Sequence, residues 1–66
     1  MSNTYGDYIR FTPATPETIE RAEEEMRQAA LRFLRTMDQP MEKMSDVQII
    51  THEQGGAATV GWKVAI

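Results

Sequence analysis

The chain has 66 residues, 41% hydrophobic and 26% charged, with ten acidic and seven basic side chains and a net charge of −3. It contains no cysteine and one histidine, which excludes disulfides and thiolate metal sites and argues against a structural zinc site. A domain this short buries only about 60% of its unfolded surface; a well-packed helix and self-association are the remaining aids to stability, so a homo-oligomer is expected.

Acids and bases are interspersed without a basic cluster, which argues against duplex nucleic acid as a partner. The start, Met1 to Tyr5, lacks the positive and apolar regions of a secretory leader. No apolar run approaches the roughly 20 residues of a membrane span. A cytoplasmic protein with no membrane partner is expected, opening at Met1 as a complete small reading frame.

Tyr8-Ile9-Arg10-Phe11-Thr12 is aromatic and β-branched and predicts a first strand over 8–12. Pro13-Ala14-Thr15-Pro16 stops it and starts a helix, with Thr15 as N-cap and Pro16 at the first helical position. Ile19, Ala22, Met26, Ala29, Ala30, Phe33, Leu34 and Met37 then recur at helical spacing and form one apolar stripe over 16–37. Glu17–Arg21 and Glu23–Arg27 stand at i,i+4 in the favourable order. Leu31 departs from the pattern, lying roughly 150° from the stripe at 100° per residue. It is either a scattered surface leucine or a contact for a second copy or partner.

Pro40 ends the helix. Val47-Gln48-Ile49-Ile50-Thr51-His52 predicts a second strand over 47–52, Gln54-Gly55-Gly56 a turn, and the strict alternation from Ala57 to Ile66 a third strand. The third strand matches the helix in length and is placed centrally. The fold class is therefore α+β, β-α-β-β, with one amphipathic helix packed on a three-stranded antiparallel sheet of order 1-3-2. The helix is expected to cover Ile9, Phe11, Val47, Ile49, Val60, Trp62 and Val64. The other face then carries Tyr8, Arg10, Gln48, Ile50, His52, Thr59, Gly61, Lys63 and Ala65, and that face or the sheet edges are where copies would pair.

Strand 8–12, the Thr15-Pro16-Glu17-Thr18 helix start and the final Val60-Gly61-Trp62-Lys63-Val64 strand together resemble the dodecins, small flavin-binding proteins built as strand, helix and two strands in a closed shell. The resemblance implies an oligomer with flavin at its interfaces. The family's flavin-stacking tryptophan lies early in the second strand, where this chain has Val47 and Gln48, and the one tryptophan here is Trp62 in the third. The same pattern also resembles small accessory proteins of bacteria and phages.

No catalytic set is legible. His52 and Glu53 are adjacent, so on a strand they point to opposite faces. Gly55-Gly56 lacks the lysine and following helix of a phosphate loop. Tyr8, Arg10, His52 and Lys63 converge on the open face as candidate anion-binding residues; Trp62 is a candidate stacking platform that alternation also places in the core. Ile50 and Leu31 are candidate interface residues. The expectation is a non-enzymatic, homo-oligomeric interaction protein of bacterial or phage type that binds another macromolecule, without cofactor, metal or catalytic residues. The alternative is a small-ligand protein for a nucleotide or flavin, with sites between subunits.

Overall fold

The start of the helix is set by two threonines. In the computed structural model, which describes residues 2–66, Thr15 stands in extended conformation just before α1 (Pro16–Thr36). Its hydroxyl oxygen accepts the Thr18 N–H at 3.1 Å, while the Thr15 N–H donates to Thr18 Oγ1 at 2.8 Å. The Thr18 hydroxyl in turn donates to the Pro13 carbonyl at 2.7 Å. This is a capping box with threonine in the place usually held by glutamate, and such caps are worth about 1 kcal/mol.

The far end of α1 closes with Asp38 in the left-handed region at φ 55°. The Asp38 N–H donates to the Arg35 carbonyl at 3.1 Å and the Gln39 N–H to the Leu34 carbonyl at 2.9 Å, the paired bonds of a Schellman motif. An aspartate there tolerates the backbone but places a negative charge on the negative end of the helix dipole. Asp38→Asn keeps the backbone preference and removes the charge. It is expected to raise stability by about 0.3–1 kcal/mol at low ionic strength, with the gain in urea midpoint fading in high salt.

Strands β1 (Thr4–Phe11), β2 (Gln48–Gln54) and β3 (Ala57–Ala65) form one sheet of order β1-β3-β2, with both pairings antiparallel. The architecture is the one expected from sequence; the boundaries shift. β1 begins at Thr4 instead of Tyr8, because pairing with the whole length of β3 overrides the weak strand preference of Gly6 and Asp7. Beyond it, Asn3 and Ile66 exchange N–H to carbonyl bonds at 2.9 and 2.8 Å. The connection after α1 contains a 3₁₀ segment, Met41–Asp46, and Val47 caps that segment instead of opening β2. Gly55 and Gly56, at φ 59° and 81°, make the two-residue turn of the β2–β3 hairpin.

Ala22, Met26, Ala30 and Leu34, one residue per helical turn, meet Val60, Trp62 and Val64 of the central strand to form the core. Tyr5, Ile9, Phe11, Phe33, Met44, Val47 and Ile49 pack around it. Phe33 links two aromatic neighbours, with ring centroids 5.1 Å from Tyr5 and 5.2 Å from Trp62. These tilted pairs add packing energy beyond buried area.

On the charged face of α1 neither expected i,i+4 pair forms: among the described residues Glu17 and Arg21 make no salt bridge, and the Glu23–Arg27 pair is replaced. Glu23 turns toward the sheet and accepts the Thr51 hydroxyl of β2 at 2.6 Å, so Arg27 pairs with Glu24 at 3.0 Å instead. Glu24 also accepts from the Gln28 amide at 3.1 Å. The Gln28 bond first, then the Arg27 bond and charge, hold the Glu24 carboxyl below its ordinary value. A lowered value in the folded state means that this exposed contact stabilises the helix above the ordinary carboxylate pKa and is lost as the pH falls through the lowered one.

Candidate functional site

With α1 covering one face, strand alternation decides what the other presents. The register sets three neighbouring rows across the sheet in the order β1, β3, β2. These are Gly6, Lys63 and Gln48; then Tyr8, Gly61 and Ile50; then Arg10, Thr59 and His52. Tyr8, Arg10, Ile50, His52 and Lys63, scattered over most of the sequence, therefore occupy one patch spanning about 13 Å along the strands.

The middle row forms a depression. Tyr8 is 69% exposed and Ile50 48% exposed, and between them Gly61 is buried. A Cβ on Gly61 would lie 2.8 Å from the Asp7 carbonyl oxygen and 3.0 Å from Tyr8 Cβ, so β1 and β3 approach each other here because no side chain stands between them. The resulting open concavity, about 340 Å³, is lined by Gly6, Asp7, Tyr8, Ile50, His52, Thr59, Gly61 and Trp62, and its lining is mainly apolar. Sequence reading did not single out Gly61 and Gly6. The available signal was glycine inside an otherwise regular strand, which marks a close backbone approach.

Trp62 does not join the exposed group. The residue is 6% exposed and its side chain belongs to the core on the helix side, with Phe33 tilted 45° against it. The indole N–H is buried and has no hydrogen-bond partner among the described residues. Leu31 is half-buried on α1, outside both the core cluster and the open face. Glu53 lies on the helix-side face of β2, away from His52.

The charge of the open face is one-sided. Arg10 and Lys63 are both exposed there, with His52 beside them, and alternation places none of the ten acidic residues on it. Two acids reach its rim. Asp7 Oδ1 accepts the Tyr8 N–H at 2.8 Å, and Asp46 is paired with Lys43 at 3.1 Å. Among the described residues no three His, Cys, Asp or Glu side chains gather as a metal site, and no helix is long and apolar enough to cross a membrane. Comparison with known protein families, curated proteins and solved structures gives no match.

Proposed function

We propose that the chain is a small non-enzymatic interaction protein, cytoplasmic and of bacterial or phage type, that acts as a homo-oligomer and binds another macromolecule through the open face of its sheet. The observation that carries this reading is the depression over Gly61, where two large exposed side chains stand beside three nitrogen-bearing ones on a face no other element covers. Exposed aromatic and aliphatic groups around a pocket, rimmed by polar ones, have the anatomy of an interface anchor.

Self-association is assigned to an edge. On β1, Asp7 folds back on the Tyr8 N–H and occupies a donor of that strand, a common defence of exposed edges. Among the described residues β2 has no such guard, and the run Gln48-Ile49-Ile50-Thr51-His52 contains neither proline nor a fixed charge. Antiparallel pairing of β2 with β2 of a second copy would extend the sheet and place two open faces side by side. Light scattering on the purified chain is expected to give about twice the 7.5 kDa of one subunit. A mass that stays at one subunit through the high micromolar range would remove the oligomer from this reading.

One observation favours a second reading, the nucleotide or flavin protein. The concavity's volume of about 340 Å³ falls within the range of small-ligand sites. Being open on one side, it would need a second subunit to enclose a ligand. An absorbance spectrum of the supernatant from denatured protein separates the two, since a co-purified nucleotide or flavin absorbs and a macromolecular docking face leaves none.

A further inference from the structure

We infer that the partner segment which docks on the open face is a short acidic stretch of polypeptide carrying one aromatic or branched aliphatic anchor. The inference rests on the reading of that face as a binding surface and adds the chemistry of its occupant.

Charge selects the occupant. The chain is acidic overall, yet two of its seven fixed positive charges, Arg10 and Lys63, stand on a face whose carboxylates, Asp7 and Asp46, lie at the rim and are already engaged by the Tyr8 N–H and Lys43. A face so composed attracts carboxylates and repels its own likeness. In an isologous face-to-face pair Arg10 and Lys63 of each copy would meet a surface whose rim acids, Asp7 and Asp46, are already engaged within their own chain.

A long polyanion is disfavoured for a different reason. The patch spans about 13 Å along the strands of a molecule 37 Å long with a net charge of −3, so a polyanion longer than the patch gains no further cations of this face and meets the repulsion of the acidic whole. A compact acidic segment meets only the patch.

Shape selects the anchor. Tyr8 and Ile50 lie on β1 and β2, two strand spacings or about 9.5 Å apart, with bare Gly61 as the floor. That gap admits one flat ring or one branched aliphatic side chain between two apolar walls. Arg10 lies one row to one side of the anchor and Lys63 one row to the other, so carboxylates flanking the anchor on both sides of the peptide are matched together.

The test uses capped Asp-Glu-Trp-Glu-Asp as probe, its neutral isostere Asn-Gln-Trp-Gln-Asn, and oligothymidylate, each titrated into isotopically labelled protein and followed by amide chemical shifts. The acidic peptide is expected to shift Gly61, Ile50 and Thr59 but not the exposed face of α1, with binding that weakens as salt rises. Arg10→Gln and Lys63→Gln, both at exposed positions, are each expected to weaken it about twofold to fivefold, as solvent-exposed ion pairs do, with Trp62 fluorescence unchanged as the check on folding. Equal shifts from the neutral peptide would overturn the charge selection and leave the face a binding surface. Stronger shifts from oligothymidylate would transfer the face to single-stranded nucleic acid. Concentration-dependent shifts of the same amides without any probe would assign it to a second copy. Absence of shifts at millimolar acidic peptide would overturn the inference alone, since the oligomer and its edge pairing are measured separately by light scattering.

Discussion

Leu34→Ala is expected to lower stability by about 2–5 kcal/mol. Leu34 is 2% exposed and, with Val60 and Val64, is among the largest fully buried side chains. It stands at the end of the Ala22, Met26, Ala30, Leu34 row, whose other members include two alanines. The helix therefore has few large groups with which to fill a void, and the site cannot collapse well. A domain of this size has about 3–10 kcal/mol of total stability at typical values per residue, so the variant is expected to be partly unfolded at the lower end of that range. The measurement is a urea midpoint followed by Trp62 fluorescence, taken at several protein concentrations so that association does not enter the comparison. Met37→Ala is the internal control. It lies just past the same end of α1 but is 39% exposed, and surface changes of this kind usually stay within about 0.5 kcal/mol. Equal losses from both variants would mean that the core is not centred where the helix and β3 meet.

The helix was legible because its information is local. Thr15, Pro16 and the apolar stripe act within a few residues of one another, and the stripe's spacing alone selects the face that meets the sheet. The order of the strands was legible for a related reason: a hairpin followed by length matching leaves few arrangements of three strands, and 1-3-2 is the one in which the longest strand is central. The beginning of β1 was not legible. Gly6 and Asp7 are disfavoured in strands and interrupt the run, and only the presence of Lys63 and Trp62 opposite them makes them a strand. Glu23 shows the same limit on the helix. Its sequence neighbour Arg27 predicts one partner, and Thr51, distant in sequence, supplies another. As for the candidate site, alternation places Tyr8, Arg10, Ile50, His52 and Lys63 on a common face once the strand order is known. Its depth is a different matter, because it depends on how closely β1 approaches β3; a glycine within a strand signals such an approach, but which neighbour comes close, and how near, is fixed only by the pairing.

That close approach is itself open to measurement. Gly6→Ala and Gly61→Ala are each expected to destabilise the protein by about 1–3 kcal/mol, the cost of forcing extra atoms into packed space. Alanine in a strand would otherwise gain about 0.5–1 kcal/mol over glycine, so the two effects differ in sign and the experiment decides between them. Neither glycine needs a positive φ; what each needs is room. At Gly6 a Cβ would collide with the Trp62 carbonyl oxygen, and at Gly61 it would stand 2.8 Å from the Asp7 carbonyl oxygen. Both obstacles are backbone, which cannot rotate aside as a side chain can, and both lie on the Asp7–Trp62 pair of the β1–β3 ladder. Relief therefore requires β1 to lift from β3 at this point. The lift should travel to the end of the strand, weakening the Asn3–Ile66 pair of hydrogen bonds, so faster amide exchange at Asn3 and Ile66 should accompany the fall in urea midpoint. It should also change the open face, because the depression between Tyr8 and Ile50 has the bare Gly61 backbone as its floor. Gly61→Ala raises that floor directly, whereas Gly6→Ala separates the strands and adds its methyl one row away, at the border of the depression. If the acidic peptide is lost from the Gly61 variant yet retained by an equally destabilised Gly6 variant, the anchor seat is the space above Gly61 and not the general integrity of β1. Stabilisation by either alanine would show instead that the two strands are not held together as closely as their glycines allow.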